Sequence, residues 1–511
     1  MCRILASSIF VFIFSASVAQ QNLDFENGLS GWRVLGKNIC LDSLNAYSGR
    51  RCLHMGPGFA EISQRMRVSP LNLIQFHVYL RSAHQPVSGY AFIRFFNDQN
   101  ELQLEYRSIY LANENYQPVG YYTESPPASG SVWIGIEKDS SSTDELYADG
   151  VDFDPQAGEA HGAHMPACDL DVYLRPFWRG DTIFDEAVLL YAEEGKAAQG
   201  RLLFEPDHII SVKSFDGTRK YESEKDFSVV GRTLIRAGGS SMPFRADTSF
   251  DRRNDLAWYA LQSQWCLVSY SHKGRWEGPV PQFMANHLPN TLKKLSTGLP
   301  LNIAAYGMSI TRGMNVSGYD DTLPYMPSYV ALFGRSLENL FQHKKISLYN
   351  AALPGADAAW GAKYIRQYLI PLHPDLVILD FGMNDFWRYT PAQFLDFIHS
   401  MIRQVRSANQ ETEFILISNL GFDPAYILET DSNRKFYFAN MEGYAKLLRT
   451  LQGPGIINLD MYSISLEIYR LKKAKDCLAN PLHPNDYMAR WYAQAMTALF
   501  QNKIGDMHAR E

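Results

Sequence analysis

From about residue 298 onward, strand-length apolar runs alternate with helix-length amphipathic ones. The strand candidates are 301–307, 346–351, 375–381, 413–420 and 455–460. The run 375–381, Asp-Leu-Val-Ile-Leu-Asp-Phe, has little polar surface to offer water, which places it inside a sheet covered on both faces. Between the runs, Val330, Phe333, Leu337, Leu340 and Phe341 share one helical face. Pro391 is placed to open a helix over 392–407. A last helix is predicted from about Asp486 to Phe500. Parallel neighbours need crossover connections, and helices supply them, so five such units predict a doubly wound, flavodoxin-like parallel sheet. In sheets of this kind ligands bind outside the carboxyl ends of the strands.

Four short motifs fall in that region in a fixed order. Tyr-Gly-Met-Ser-Ile-Thr surrounds Ser309, and Asn-Ala-Ala-Leu-Pro-Gly ends at Gly355. Phe-Gly-Met-Asn-Asp surrounds Asn384, and Leu-His-Pro-Asn surrounds His483. The first three follow the first three predicted strands, and His483 lies just before the last helix. A serine, a histidine and two hydrogen-bond donors are the groups needed to attack an ester and hold the resulting oxyanion. Taken singly, each has a plainer reading. A serine after a strand is usually a helix cap, and Asn-Asp there is usually a turn.

As an ordered set, the four motifs resemble the SGNH, or GDSL-like, hydrolase family over residues 298–511. Gly307-Met308-Ser309 is similar to the first block, with Met308 where Asp is common. Gly355 stands in the second block, Gly382-Met383-Asn384-Asp385 in the third, and His483-Pro484-Asn485 in the last. The resemblance implies Ser309 as nucleophile and His483 as base. It also implies the Ser309 and Gly355 N–H groups and the Asn384 amide as oxyanion donors. The family's last block usually carries Asp three residues before His, and here that residue is Asn480. A backbone carbonyl orienting His483, giving a Ser-His dyad, is the expected substitute. A carboxylate from elsewhere, such as Asp476 or Asp486, is the alternative.

The rest of the chain is β-rich. Residues 20–156 carry short alternating runs punctuated by Gly, Pro, Ser and Asn, the texture of a β-sandwich. The stretches at 22–32, 47–53 and 147–152 resemble carbohydrate-binding-module jelly rolls. Trp32, Tyr79, Tyr90, Tyr121, Tyr122 and Trp133 are candidates for a sugar-stacking platform, with sandwich core as the plainer reading. Asp24, Glu26 and Asp149 are candidate ligands for a structural calcium, and isolated solvated carboxylates are the plainer reading. A second β-rich section is expected over 157–297, with strands at 188–191, 201–204, 208–212 and 233–235. Its stretch 180–187 resembles part of the accessory jelly roll of some exported carbohydrate esterases.

Arg3, the apolar stretch 4–14 and the small residues Ser17-Val18-Ala19 predict a signal peptide over 1–19. No later stretch is long and apolar enough for a transmembrane helix. Net charge is −6 without a dense Lys/Arg block, which argues against a nucleic-acid partner. Of six cysteines, Cys2 falls in the leader, and a Cys40–Cys52 bridge is set against two buried thiols. The expectation is an exported carbohydrate acetylesterase acting on a polysaccharide or oligosaccharide, with no metal or organic cofactor. A lipase or thioesterase and a non-catalytic glycan-binding protein are the rivals. The oligomeric state is left open.

Overall fold

The computed structural model describes residues 22–69, 72–112, 114–126, 129–154, 166, 168–192, 195–245, 264–320, 322–427 and 430–501. The expected leader at 1–19 lies outside the described residues.

The chain forms two compact units, Met1–Gly158 and Glu159–Glu511. The first is a β-sandwich of two five-stranded antiparallel sheets. One runs in the order Arg33–Leu35, Ala60–Arg67, Ser131–Lys138, Val87–Phe96, Leu102–Ala112. The other runs Ile39–Asp42, Cys52–Met55, Leu146–Asp154, Leu73–Ser82, Gln117–Glu124. Alternation builds the core. Ile74, Phe76, Val78 and Leu80 are buried on one face of their strand, while His77, Tyr79 and Arg81 point the other way and stay partly exposed.

That alternation divides the expected aromatic platform. Tyr79 lies on the second sheet, and Tyr90 and Trp133 lie on the first. Trp32 is buried against Phe25 and donates its indole N–H to the Asn22 carbonyl at 2.9 Å. The Tyr121 and Tyr122 side chains lie outside what is described. Other rings gather around Tyr79 instead. Tyr47 stacks on it at 4.1 Å, Tyr116 lies 5.2 Å from Tyr47, and the Arg81 guanidinium sits 4.5 Å over Tyr147.

Cys40 and Cys52 form no bridge and are free thiols; Cys52 is buried, as the second alternative has it, and Cys40 is exposed. Their strands are adjacent, but Cys40 faces His54 and Cys52 faces Asp42, so register keeps the sulfurs apart. Asp24, Glu26 and Asp149 form no metal-holding group. Each carboxylate serves backbone donors instead. Asp149 takes the N–H groups of Tyr47, Ser48 and Gly150, Glu26 those of Arg50 and Arg51, and Asp24 that of Glu26.

In the second unit the five-stranded sheet is wholly parallel. Its order is Ile346–Asn350, Leu301–Gly307, Leu376–Asp380, Glu413–Ser418, Ile456–Asp460. Numbered along the chain this is 2-1-3-4-5, the flavodoxin-like arrangement. Every residue of Leu376–Asp380 is buried. Helix Pro391–Ala408 opens with Pro391, and Thr390 and Gln393 form a reciprocal capping box. Helix Asp486–Ala498 is buried on all sides.

The second unit also holds two antiparallel sheets, one of which meets that helix through strand Thr182–Leu189. One has Thr182–Leu189, Trp265–His272, Pro206–Ser214 and Lys220–Tyr221, and the other Gln199–Arg201, Thr233–Arg236 and Phe227–Val230. The strand expected over 201–204 stops at Arg201. Beyond it the Leu203 and Phe204 N–H groups donate to Glu186 Oε1 and the Tyr270 hydroxyl, so side chains replace a strand partner.

Strand Thr182–Leu189 is stitched to the segment that carries His483. Lys472 is buried, pairs with Glu186 and Asp476, and donates to the Ala187 carbonyl at 2.8 Å. Asp476 accepts the Leu189 N–H at 2.7 Å, and Arg490 donates to the Phe184 carbonyl at 2.7 Å. The stretches read as 157–297 and 298–511 thus share one interior. Removing one partner of a buried ion pair strands the other charge in a medium that solvates it poorly. Lys472→Met should therefore cost about 3–5 kcal/mol of stability, and Lys472→Met/Glu186→Gln should recover part of it. Urea denaturation midpoints of the three proteins check this.

Candidate active site

Ser309 opens a one-turn helix, Ser309–Arg312, directly after strand Leu301–Gly307. Its hydroxyl lies 2.7 Å from His483 Nε2, across 174 residues of sequence. The Ser309 side chain is largely covered, with the residue 6% exposed. Met308, at the family's usual Asp position, is fully buried.

The other nitrogen of His483 explains how the ring is held. Asn480 Oδ1 accepts the backbone N–H groups of Leu482 and His483, both at 2.9 Å. Those two donors fix which end of the Asn480 amide carries oxygen, so its NH2 group must turn toward the ring. That NH2 donates to Asn315 Oδ1 at 2.8 Å. His483 Nδ1 lies 2.6 Å from the same Asn315 oxygen and 2.7 Å from Asn480 Nδ2. The oxygen 2.6 Å from Nδ1 calls for a ring proton between them, and the Asn480 NH2 group at 2.7 Å calls for a lone pair; the shorter contact, to the oxygen, decides between them. Nδ1 therefore carries the proton, and Nε2 presents its lone pair to the Ser309 hydroxyl.

Asn315 is the residue that the sequence reading missed. It follows the Ser309 helix and adopts a left-handed conformation, φ 68°, which asparagine tolerates better than most residues. The expected backbone carbonyl behind His483 is thus replaced by a side-chain amide. Neither alternative carboxylate reaches the ring. Asp476 is taken by Leu189 and Lys472, and Asp486 accepts the Ser317 N–H and hydroxyl at 2.7 and 2.6 Å. With no carboxylate on Nδ1, burial dominates and pushes the His483 imidazole down to about 4.

The remaining two motifs meet each other. Asn384 Nδ2 donates to the Ala356 carbonyl at 2.8 Å, which ties the third strand's loop to the Gly355 turn. This uses one of two amide protons and leaves the second for another acceptor. Gly355 has φ 81°, a left-handed value that a side chain would resist. The Leu353 N–H bonds to the Gly307 carbonyl at 3.0 Å, so this turn runs beside the approach to Ser309. Asp385 is buried beneath it and accepts the Gly382 and Ala358 N–H groups at 2.9 and 2.8 Å. Burial pushes its carboxyl up to about 7.

A neutral imidazole with the proton on Nδ1 should be visible directly. In 15N-labelled protein at pH 7, the His483 Nδ1 shift should be pyrrole-type and the Nε2 shift pyridine-type, with a titration midpoint near 4. A midpoint near 6.5, the ordinary value, would mean that burial does not govern this ring.

The model of the GDSL-like lipase/acylhydrolase family matches residues 305–491. No curated protein matches the chain. Among solved structures the chain is similar to a family 16 carbohydrate binding module, at 18% identity over 26% of this chain and 96% of that one, TM-score 0.23. It is similar to an α/β hydrolase enzyme from the metagenome of Lake Arreo, Spain, at 18% identity over 40% and 97%, TM-score 0.31. It is also similar to a two-domain esterase active on acetylated mannans, at 20% identity over 43% of this chain, TM-score 0.33. The match spans 54% of that esterase. Among the described residues no helix is long and apolar enough to cross a membrane. With an N-terminal antiparallel sandwich ahead of it and the parallel sheet described above at its centre, the segment 305–491 is a domain of the GDSL-like lipase/acylhydrolase family.

Proposed function

We propose that this chain is an exported serine esterase that removes acetyl groups from a polysaccharide. The observation that carries the reading is the 2.7 Å contact between Ser309 Oγ and His483 Nε2, on a ring whose other nitrogen lies 2.6 Å from the Asn315 oxygen.

Ser309 attacks the acyl carbonyl while Nε2 takes its proton. The Nδ1–H stays on Asn315 throughout. Charge that builds on the carbonyl oxygen is met by the Ser309 and Gly355 N–H groups and the second Asn384 amide proton. As the tetrahedral species collapses, Nε2–H protonates the sugar oxygen, which leaves as the hydroxyl. Water, deprotonated by the same nitrogen, then adds to the acyl carbon, and Nε2–H returns the proton to Ser309 Oγ as the acid departs. A nucleophile that is 6% exposed suits a short acyl group better than a long chain. The tyrosine and arginine group around Tyr79 supports a sugar ligand, since planar rings stack on sugar faces. Export rests on Arg3, the apolar stretch 4–14 and Ser17-Val18-Ala19.

Hydrolysis of p-nitrophenyl acetate should vanish in Ser309→Ala and fall by about two to three orders of magnitude in Asn384→Ala. The acetate ester should be turned over much faster than the palmitate ester; the reverse order would make the enzyme a lipase. Retention of glycan without any ester hydrolysis would make the chain a binding protein.

The pH profile follows from His483. The group acts as a base in its neutral form, and burial holds its protonation near pH 4. The acid limb of kcat/KM should therefore lie near 4 rather than 6.5. In Asn480→Asp a carboxylate would face Nδ1 and favour the imidazolium, so the limb should move to higher pH.

Asn315→Ala leaves the Asn480 NH2 group alone against Nδ1. That donor favours the tautomer with the proton on Nε2, which cannot accept from Ser309. The loss should approach about four orders of magnitude, the cost of a wrong tautomer in serine proteases. Asn315→Ala/Asn480→Asp should regain much of it, a recovery that a merely structural role for Asn315 does not predict.

A further inference from the structure

A cavity of about 320 Å³ lies between the three-stranded sheet and the end of helix Met461–Leu471, and Ser309 does not line it. Its lining includes Tyr191, Gln199, Arg201, Thr233, Arg470 and Lys473, with Lys472 and Asp476 at its inner side. That volume is at the lower end of the range for small-molecule pockets.

Positive charge there is incompletely matched. Lys472 is neutralised by Glu186 and Asp476, and Arg470 pairs with Glu467. Arg201 has no ion-pair partner among the described residues, and the Lys473 ammonium meets only the face of the Tyr191 ring, 4.0 Å from its centroid. Arg232, beside them, donates to the Leu202 carbonyl at 2.8 Å. Burial first, and then the nearby positive charge of Arg201, hold its guanidinium below the ordinary arginine value. An anion would relieve this crowding. Tyr191 is 2% exposed, and its buried hydroxyl has no hydrogen-bond partner. A buried hydroxyl left without a partner is destabilising unless a ligand or water meets it. Gln199 and Thr233 add an amide and a hydroxyl, suited to sugar hydroxyls.

We propose that this cavity binds a carboxylate-bearing sugar of hexuronate size. The carboxylate is held by Arg201 and Lys473, and the ring hydroxyls by Gln199, Thr233 and Tyr191. A planar guanidinium matches a carboxylate through two parallel N–H bonds. Asp476 lies four residues before Asn480, on the segment that carries His483, so the site shares a wall with the catalytic loop. The assignment does not depend on the role given to Ser309.

Calorimetric titration of the full chain with sodium glucuronate, glucose and sodium sulfate tests it. Saturable glucuronate binding is expected, with glucose and sulfate each weaker. Arg201→Ala/Lys473→Ala should weaken glucuronate by about tenfold or more while circular dichroism stays native. Ser309→Ala should bind glucuronate like the parent, which separates this site from the esterase reading. Absence of glucuronate binding, glucose binding as tightly, or binding unaffected in the double variant would overturn the proposal. Sulfate binding as tightly as glucuronate would overturn the sugar assignment.

Discussion

The direction of one amide governs the catalytic edge. Two backbone N–H groups hold the oxygen of Asn480, so its nitrogen must face the ring. Asn315 must then answer with oxygen, His483 with a protonated Nδ1, and Ser309 meets a lone pair. Each step follows from donor and acceptor complementarity among partly or wholly buried groups. A carboxylate would reach the same tautomer through its charge. This chain reaches it with two neutral side chains, and the absence of a countercharge is why burial sets the behaviour of the imidazole.

The amide chain works only if its segment stays in place. The loop from Lys472 to Asn485 is held at both ends. Lys472 and Asp476 anchor its start to strand Thr182–Leu189. Asn485 ties its end, donating to the Asp476 carbonyl at 2.9 Å and capping the last helix through the Met488 N–H. The sheets that precede the α/β region are thus a wall of the same interior. This accounts for a final helix buried on every side, which in a free-standing α/β domain would show one face to water.

Apolar periodicity was enough to read the parallel sheet, because a strand such as Leu376–Asp380 permits no other setting. The placing of Ser309, Gly355, Asn384 and His483 at loop positions was readable for the same reason. Asn315 was not. It belongs to no block, and its role depends on a left-handed turn and on the orientation of an amide 165 residues away. The Cys40 and Cys52 thiols show the same limit at smaller scale. Nearness in sequence suggested a pair, and a two-residue register offset separates them. Tyr79 and Tyr90 were readable as strand residues, but which sheet each would join was not, since strand order is settled by long-range pairing.

The order of assembly is a further consequence of the strand arrangement. Ser309 follows the strand second from one edge of the sheet, while His483 arrives after the fifth strand, at the opposite edge. Joining them closes a loop of 174 residues, and chain entropy opposes early closure of so long a span. During refolding, the secondary structure of the α/β region should therefore return well before the serine meets its base, and activity would report the last contact to form.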